Sequence, residues 1–430
     1  VHGGLGHDEI HGGDGHDFIT GGLGNDTIHG GEGRDTIFGN QGQDVIFGGL
    51  GDDLIHGGGD GDVIDGGDGI DTLSYELSSC KATIGLKSGK ATLRDGITTI
   101  GTDIFTGIEN VTGTRHDDSI FGSAAGNVLR GLAGNDWITG EGGNDSLYGG
   151  DGNDRMFGDE SSYNSWSAKD SGNDYMDGGA GNDNLAGGWG KDTLIGGTGD
   201  DYLAGDQGAD LLIGGAGIDT IVYHCDVGVM VDLATGRGAG GDAEGDIIRE
   251  VENVSGSFYD DTLIGDAGAN RLDGWGGNDF IDGGAGRDTL IGGRGNDTII
   301  GGVGVDVLTG GSTDDRDKPG AGQDLFRFLA LGDSAPMAMD VITDFKGMAA
   351  APEVRDKIDL RMIDANTKTR SDDAFRFIGD RDFSGKAGEL RFVLGQGDTV
   401  IQADANGDGR ADFAIRLLGV HDLTAADFLL

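Results

Sequence analysis

Aspartate recurs every nine residues along most of this chain. Asp8, Asp17, Asp26 and Asp35 each stand sixth in a nonapeptide that opens on glycines and carries an apolar residue eighth. The first copy is Gly3-Gly4-Leu5-Gly6-His7-Asp8-Glu9-Ile10-His11, and the general form is G-G-x-G-x-D-x-U-x, with U apolar. Glycine at positions one, two and four permits positive φ, so the first six residues can form a tight turn. Such a turn points carbonyl oxygens inward, and the sixth residue adds a carboxylate. Hard oxygen donors in a flexible cage suit Ca²⁺, which takes roughly six to eight of them, better than Mg²⁺, which demands a smaller octahedron.

These carboxylates need elements that hold them in line. The nonapeptide fills 3–74 with eight copies, 113–222 with eleven and 256–327 with seven, interrupted by insertions near Ser161–Ser171 and Ser312–Gly320. The sixth position is Asp in 24 of the 26 copies, with Asn127 and Asn270 the exceptions, and the eighth is apolar in all of them. The last three residues of a copy, such as Thr27-Ile28-His29, predict a short strand. Its period of two turns the eighth side chain inward and the seventh and ninth toward solvent. One nonapeptide reverses the chain once, so two make a coil of 18 residues. Stacked coils place Asp8 over Asp26 and Asp17 over Asp35.

The stacking carries a cost. At a coil spacing of about 4.8 Å, two unit charges repel by about 0.9 kcal/mol even in bulk water. Some 20 such contacts approach about 20 kcal/mol before salt screening, against about 5–15 kcal/mol of net stability in a typical fold. The arrays are therefore expected to be unfolded without cations. Metal binding then supplies the folding free energy.

Composition agrees. Of 430 residues, 91 are Gly and 3 are Pro, and 76 acids against 30 bases give a formal charge of −46. Collagen would need Gly at every third residue and far more Pro. A polyanion repels phosphate, so no nucleic-acid partner is expected. No apolar run approaches the roughly 20 residues of a membrane span. The start at Val1 has no basic-then-apolar leader. Two Cys exclude a disulfide framework, and Cys80 and Cys225 are expected as free thiols.

The nonapeptide arrays closely resemble those of the RTX (hemolysin-type) family of calcium-binding, type I-secreted bacterial proteins. The resemblance implies an all-β fold of right-handed parallel β-rolls, a solenoid with Ca²⁺ ions held between turns by carbonyls and by sixth-position aspartates. It assigns as ligands Asp8, Asp17, Asp26, Asp35, Asp44, Asp53, Asp62 and Asp71 in the first array. In the second it assigns Asp118, Asp136, Asp145, Asp154, Asp174, Asp183, Asp192, Asp201, Asp210 and Asp219. In the third it assigns Asp261, Asp279, Asp288, Asp297, Asp306 and Asp324. Asn127 and Asn270, and the copies that lose the double glycine at Gly122-Ser123 and Gly265-Asp266, read as entry turns with weak or absent calcium.

After residue 327 the composition shifts, and the tail resembles the C-terminal domain of serralysin-type secreted proteases. The matching stretches are Asp356-Lys357-Ile358-Asp359-Leu360, Gln402-Ala403-Asp404-Ala405-Asn406-Gly407-Asp408-Gly409 and the ending Asp427-Phe428-Leu429-Leu430. That likeness implies a C-terminal β domain with an uncleaved type I export signal, the secretion machinery as partner and an extracellular destination. The expected divisions are rolls at 1–74, 113–222 and 256–327, irregular β linkers at 75–112 and 223–255, and the export domain at 328–430. The two linkers share Tyr75 with Tyr223, and Ile108-Glu109-Asn110-Val111 with Val251-Glu252-Asn253-Val254.

Other candidates are weaker. Asp404, Asn406, Asp408 and Asp412 begin like a calcium loop, but Ile415 stands where its Glu belongs; a hydrogen-bonded turn is the plainer reading. His2, His11, His29 and His56 occupy ninth positions, where solvent-facing strand residues are expected rather than a metal cluster. Tyr163 and Trp166 sit in an insertion expected to be a surface loop. No zinc helix, nucleophile elbow or phosphate loop occurs, so no catalytic residue is assigned and the chain is expected not to be an enzyme. The leading function is calcium-driven extracellular folding in a structural, surface-associated role. The alternatives are the export portion of a larger secreted enzyme (a metalloprotease, lipase or alginate epimerase) whose catalytic domain lies upstream of Val1, and an adhesin or polysaccharide binder.

Overall fold

A computed structural model describes residues 1–159, 172–311, 322–347, 350, 352–369 and 372–430. The Tyr163/Trp166 insertion and Ser312–Gly320 lie outside the described residues. The described chain is all β, apart from 3-10 turns at Gly241–Ala243, Pro352–Val354 and Ala425–Asp427. No helix among the described residues is long and apolar enough to cross a membrane. Two compact units divide at Asp219/Thr220.

In the first unit, alternate nonapeptides feed two parallel sheets. Phe18–Leu23, Thr36–Gln41 and Leu54–Gly58 pair in one, with Ile19 beside Ile37 and Ile37 beside Ile55. Glu9–Asp14, Thr27–Glu32 and Val45–Leu50 pair in the other, with Ile10 beside Ile28 and Ile28 beside Ile46. Every eighth-position side chain is buried, which makes a single file of Ile, Leu and Met between the sheets. Many strands are longer than the expected three residues. They run on through the next Gly-Gly-x, because those glycine carbonyls and amides keep the ladder going, as in Gly22 beside Gly4 and Gly31 beside Gly13.

The first interruption is threaded into the stack. Lys81–Gly85, Lys90–Asp95 and Thr98–Thr106 form an antiparallel excursion. Its last strand lies parallel to Val63–Asp68 and its first parallel to Ser119–Ser123. A hairpin therefore bulges out of one coil while the column continues above and below it.

The second unit repeats the device. Met230–Asp232 pairs antiparallel with Arg237–Ala239 and parallel with Thr262–Ile264. The third array then stacks through Val307–Gly311. The tail adds two more rungs. Asp340–Ile342 pairs with Val307–Gly311, and Lys357–Asp359 pairs with Leu325–Arg327. An antiparallel meander of Glu389–Leu394, Asp398–Asp404 and Phe413–Leu418 covers the Asp340–Ile342 rung. The last strand, Phe428–Leu429, closes the other edge beside Lys357–Asp359. Covered edges cannot recruit further strands.

Candidate metal centres

The turn is built by glycine twice over. Gly22 and Gly24 have φ of +122° and +117°, a region that costs a side chain strain. A Cβ on Gly22 would also collide with the Gly4 carbonyl oxygen one coil away. The first-position glycines mark a different space. A Cβ added to Gly21 would lie 2.5 Å from Asp26 Oδ2 and 2.8 Å from the Gly39 carbonyl oxygen; on Gly283 it would lie 2.6 Å from both Asp288 Oδ2 and the Gly301 oxygen. A carboxylate and a carbonyl from adjoining coils thus converge on a cradle with no side chain of its own.

The aspartates form continuous columns. Asp26 Oδ1 accepts the N–H of Asp8, Asp44 that of Asp26, and Asp62 that of Asp44, at 2.8–2.9 Å. Asp35, Asp53 and Asp71 repeat this from Asp17 on the opposite turn. In the second array, Asp118, Asp136, Asp154, Asp183, Asp201 and Asp219 make one column. Asp145, Asp174, Asp192 and Asp210 make the other. The third array aligns Asp261, Asp279, Asp297 and Asp324, and separately Asp288 and Asp306. The steps of 29 and 27 residues at Asp145–Asp174 and Asp297–Asp324 skip the two insertions without breaking the column.

One oxygen of each carboxylate is thereby used. The other is buried without a hydrogen-bond partner in Asp26, Asp35, Asp44, Asp53, Asp62 and Asp71, and again in Asp136, Asp145, Asp154, Asp174, Asp183, Asp192 and Asp201. The same holds for Asp279, Asp288, Asp297 and Asp306; Asp8 and Asp17, at the first coil, enter the column only through their N–H groups and also bury an unpartnered Oδ2. Burial of this kind disfavours the charged form. It pushes Asp62, Asp136 and Asp145 up to about 8, and their column neighbours' charges add to the rise. Asp174, Asp192 and Asp297 rise to about 7, and Asp53 and Asp71 to about 6, for the same reasons.

An orphaned carboxylate oxygen needs a proton or a cation. Among the described residues no group of three or more His, Cys, Asp or Glu side chains is arranged to hold a metal. That is compatible with a site in which carboxylates share the work with backbone carbonyls, the donor set of a hard cation. The array aspartates fit calcium.

The entry turns differ. Asp118 accepts hydrogen bonds on both oxygens, from the N–H and hydroxyl of Thr114 and the N–H of Ala82. Asp261 is held in the same way by Ser257 and Val229. Asn127 accepts from the Ser123 N–H and donates to the Glu109 carbonyl; Asn270 accepts from Asp266 and donates to Glu252. Each interruption also carries a buried tyrosine on a buried aspartate: Tyr75 donates to Asp103 Oδ2 at 2.6 Å and Tyr223 to Asp246 Oδ2 at 3.0 Å.

Several column members escaped the sequence reading. Asp103 accepts the Asp62 N–H, and Glu109 that of Asp71, after gaps of 41 and 38 residues. Asp340 and Asp356 extend the third array beyond its last nonapeptide, accepting from Asp306 and Asp324. Asp340 Oδ2 is as unpartnered as those of the repeats. A second ladder runs at position five, where Asn135 Oδ1 accepts the N–H of Asn153, whose own Oδ1 accepts that of Asn182. Asn278 and Asn296 do the same in the third array. The recurrence of Asn beside the sixth-position Asp was the available signal.

The remaining candidates resolve simply. Asp404 accepts from the N–H groups of Gly407 and Gly409, and Asp412 from those of Ala405 and Asn406, which is a hydrogen-bonded turn. His11 and His29 stack at 4.8 Å on a sheet face. His56 departs from the expectation of solvent exposure. It is 5% exposed, because the chain from Ser74 to Cys80 folds alongside its strand. Both cysteines are free.

Comparison with known families accounts for both halves. Segments 2–37, 38–73, 103–138, 130–161, 170–194 and 186–221 match the RTX calcium-binding nonapeptide repeat. Residues 251–430 match the peptidase M10 serralysin C-terminal domain. Comparison with curated proteins gives no match. Among solved structures, the AlgE6R3 subunit of the Azotobacter vinelandii mannuronan C5-epimerase is similar at 28% identity, over 40% of this chain and 78% of that one, with a TM-score of 0.24. The chain carries RTX calcium-binding nonapeptide repeats and a serralysin-type C-terminal domain.

Proposed function

We propose that this chain leaves the cell unfolded through a type I secretion channel and folds outside on calcium, as a structural, surface-associated protein. The observation that carries the reading is the set of buried, partnerless Oδ2 atoms stacked along each array. Bound calcium would supply the positive charge those atoms lack. Everything else is supplied by the chain. Position-one glycines leave the cradle open, position-six N–H groups fix one carboxylate oxygen, and the eighth-position file excludes water beneath. A chain of charge −46 has no means of closing such columns where free calcium is scarce. In this reading the chain itself is not catalytic, since its carboxylates are spaced for ligation along a column. Far-UV circular dichroism of the purified chain tests it. Chelation should abolish the strand signal and millimolar calcium, not magnesium, should restore it; a spectrum indifferent to both would remove the proposal.

A further inference from the structure

Within the first unit, a groove of about 800 Å³ runs along one face of the first array and is walled by the interruption that follows. Its floor is the ninth-position row Thr20, Phe38 and His56, in register on neighbouring strands. Leu23 edges it, and Leu77 and Ile100 face it from the interruption, all three exposed. In a chain of charge −46, not one lining residue is Asp, Glu, Lys or Arg. Ligand sites are commonly clefts of about 300–1,000 Å³, mostly apolar with a few placed polar groups.

The polar group here is His56. Its imidazole is buried, and its Nδ1 has no hydrogen-bond partner. Burial holds the ring below the ordinary histidine pKa, which disfavours its charged form. Whichever tautomer is present, a hydroxyl can satisfy that nitrogen, because a hydroxyl both donates and accepts. A carboxylate would enter against the charge of the whole protein. Sugar rings seek open aromatic faces, and one face each of Phe38 and His56 is taken up by the other ring, stacked at 4.4 Å and 4°.

We propose that this groove binds an uncharged amphiphile, an alkyl or acyl chain ending in a hydroxyl group. The folded roll is a prerequisite, so the inference rests on the calcium reading. Circular dichroism confirms folding before any ligand is added, which separates the two failures. The test is isothermal titration of the calcium-loaded full chain with 1-decanol, decanoate and decyltrimethylammonium. Decanol should bind saturably and at least about tenfold more tightly than decanoate. Leu23→Asp should weaken decanol by about tenfold or more, since it places a charge on an apolar edge. Neighbouring repeats carry Asp14 and Asp68 at the same third position, so this variant is compatible with the roll. His56→Phe keeps the stacking and should weaken decanol severalfold. The proposal is overturned by no saturable decanol binding, by decanoate or the ammonium binding as well as decanol, or by unchanged affinity in Leu23→Asp.

Discussion

The arrays and the tail use the same acid for opposite purposes. In the arrays an aspartate such as Asp53 spends one oxygen on a neighbouring coil and buries the other without a partner. In the tail, past the Asp340 and Asp356 rungs that continue the columns, buried acids bring their own company. Asp359 is gripped by Arg361 and Arg327, which hold its carboxyl near 2. Glu389 accepts from Arg376 and from the N–H and hydroxyl of Ser384. Asp427 caps the last turn against Thr424. The interruptions side with the tail, through Tyr75–Asp103, Tyr223–Asp246 and the Thr114 and Ser257 caps. Acids with an unpartnered buried oxygen are thus interleaved with acids whose partners the chain itself supplies.

The largest expected effect is regional. On chelation, amide hydrogen exchange should accelerate by several orders of magnitude across the array strands, while the meander of Glu389–Leu394, Asp398–Asp404 and Phe413–Leu418 keeps much of its protection. Uniform loss over the whole chain would erase the distinction.

Next come substitutions that separate the two kinds of acid. Asp53→Ala should cost about 2–3 kcal/mol in calcium. It should cost nothing measurable in chelator, where its array is expected to be unfolded already. Tyr75→Phe strands the buried Asp103 oxygen and should cost about 1–3 kcal/mol, with a smaller calcium dependence. Denaturant melts with and without calcium decide this, and equal calcium dependence of the two would collapse the contrast.

Acid should then split the regions by sign. Asp62 is raised to about 8 and Asp53 to about 6 by burial. Their penalty on the metal-free fold is present above those values and disappears as pH falls toward the ordinary carboxylate range. The metal-free arrays should therefore gain structure between pH 8 and pH 5, visible by circular dichroism in chelator. Asp359 runs the other way: its stabilisation is present above the ordinary value and is lost as pH falls through about 2.

The smallest effect belongs to the position-five ladder. Asn153→Ala removes the acceptor for the Asn182 N–H and should cost about 1 kcal/mol, a shift of a few degrees in thermal midpoint.

The repeat was readable because nine residues fix everything that matters locally: glycine where φ is positive, Asp at the column, an apolar residue beneath. The stacking of Asp8 on Asp26 follows from period alone, as does the file of buried Ile and Leu. What escaped lies where the period is broken. Asp103 reaches the Asp62 N–H only because a hairpin carries the intervening residues out of the coil, and no spacing announces it. Asp340 and Asp356 continue columns after the glycine pattern has ended. The burial of His56 depends on a distant loop, whereas its own nonapeptide is indistinguishable from those with exposed ninth residues. The saturation of Asp118 and Asp261 depends on a hydroxyl residue four positions earlier, where most other repeats have glycine.

The final strand has a bearing on direction. Phe428 is buried against Phe377 and zipped beside Lys357–Asp359, with Asp427 tied into its own capping turn. If the ending is the address read by the exporter, the finished molecule has swallowed its own label. Passage would then be one-way: a chain that has folded offers nothing for the transporter to grasp, and retrieval is foreclosed by the same closure that completes the structure.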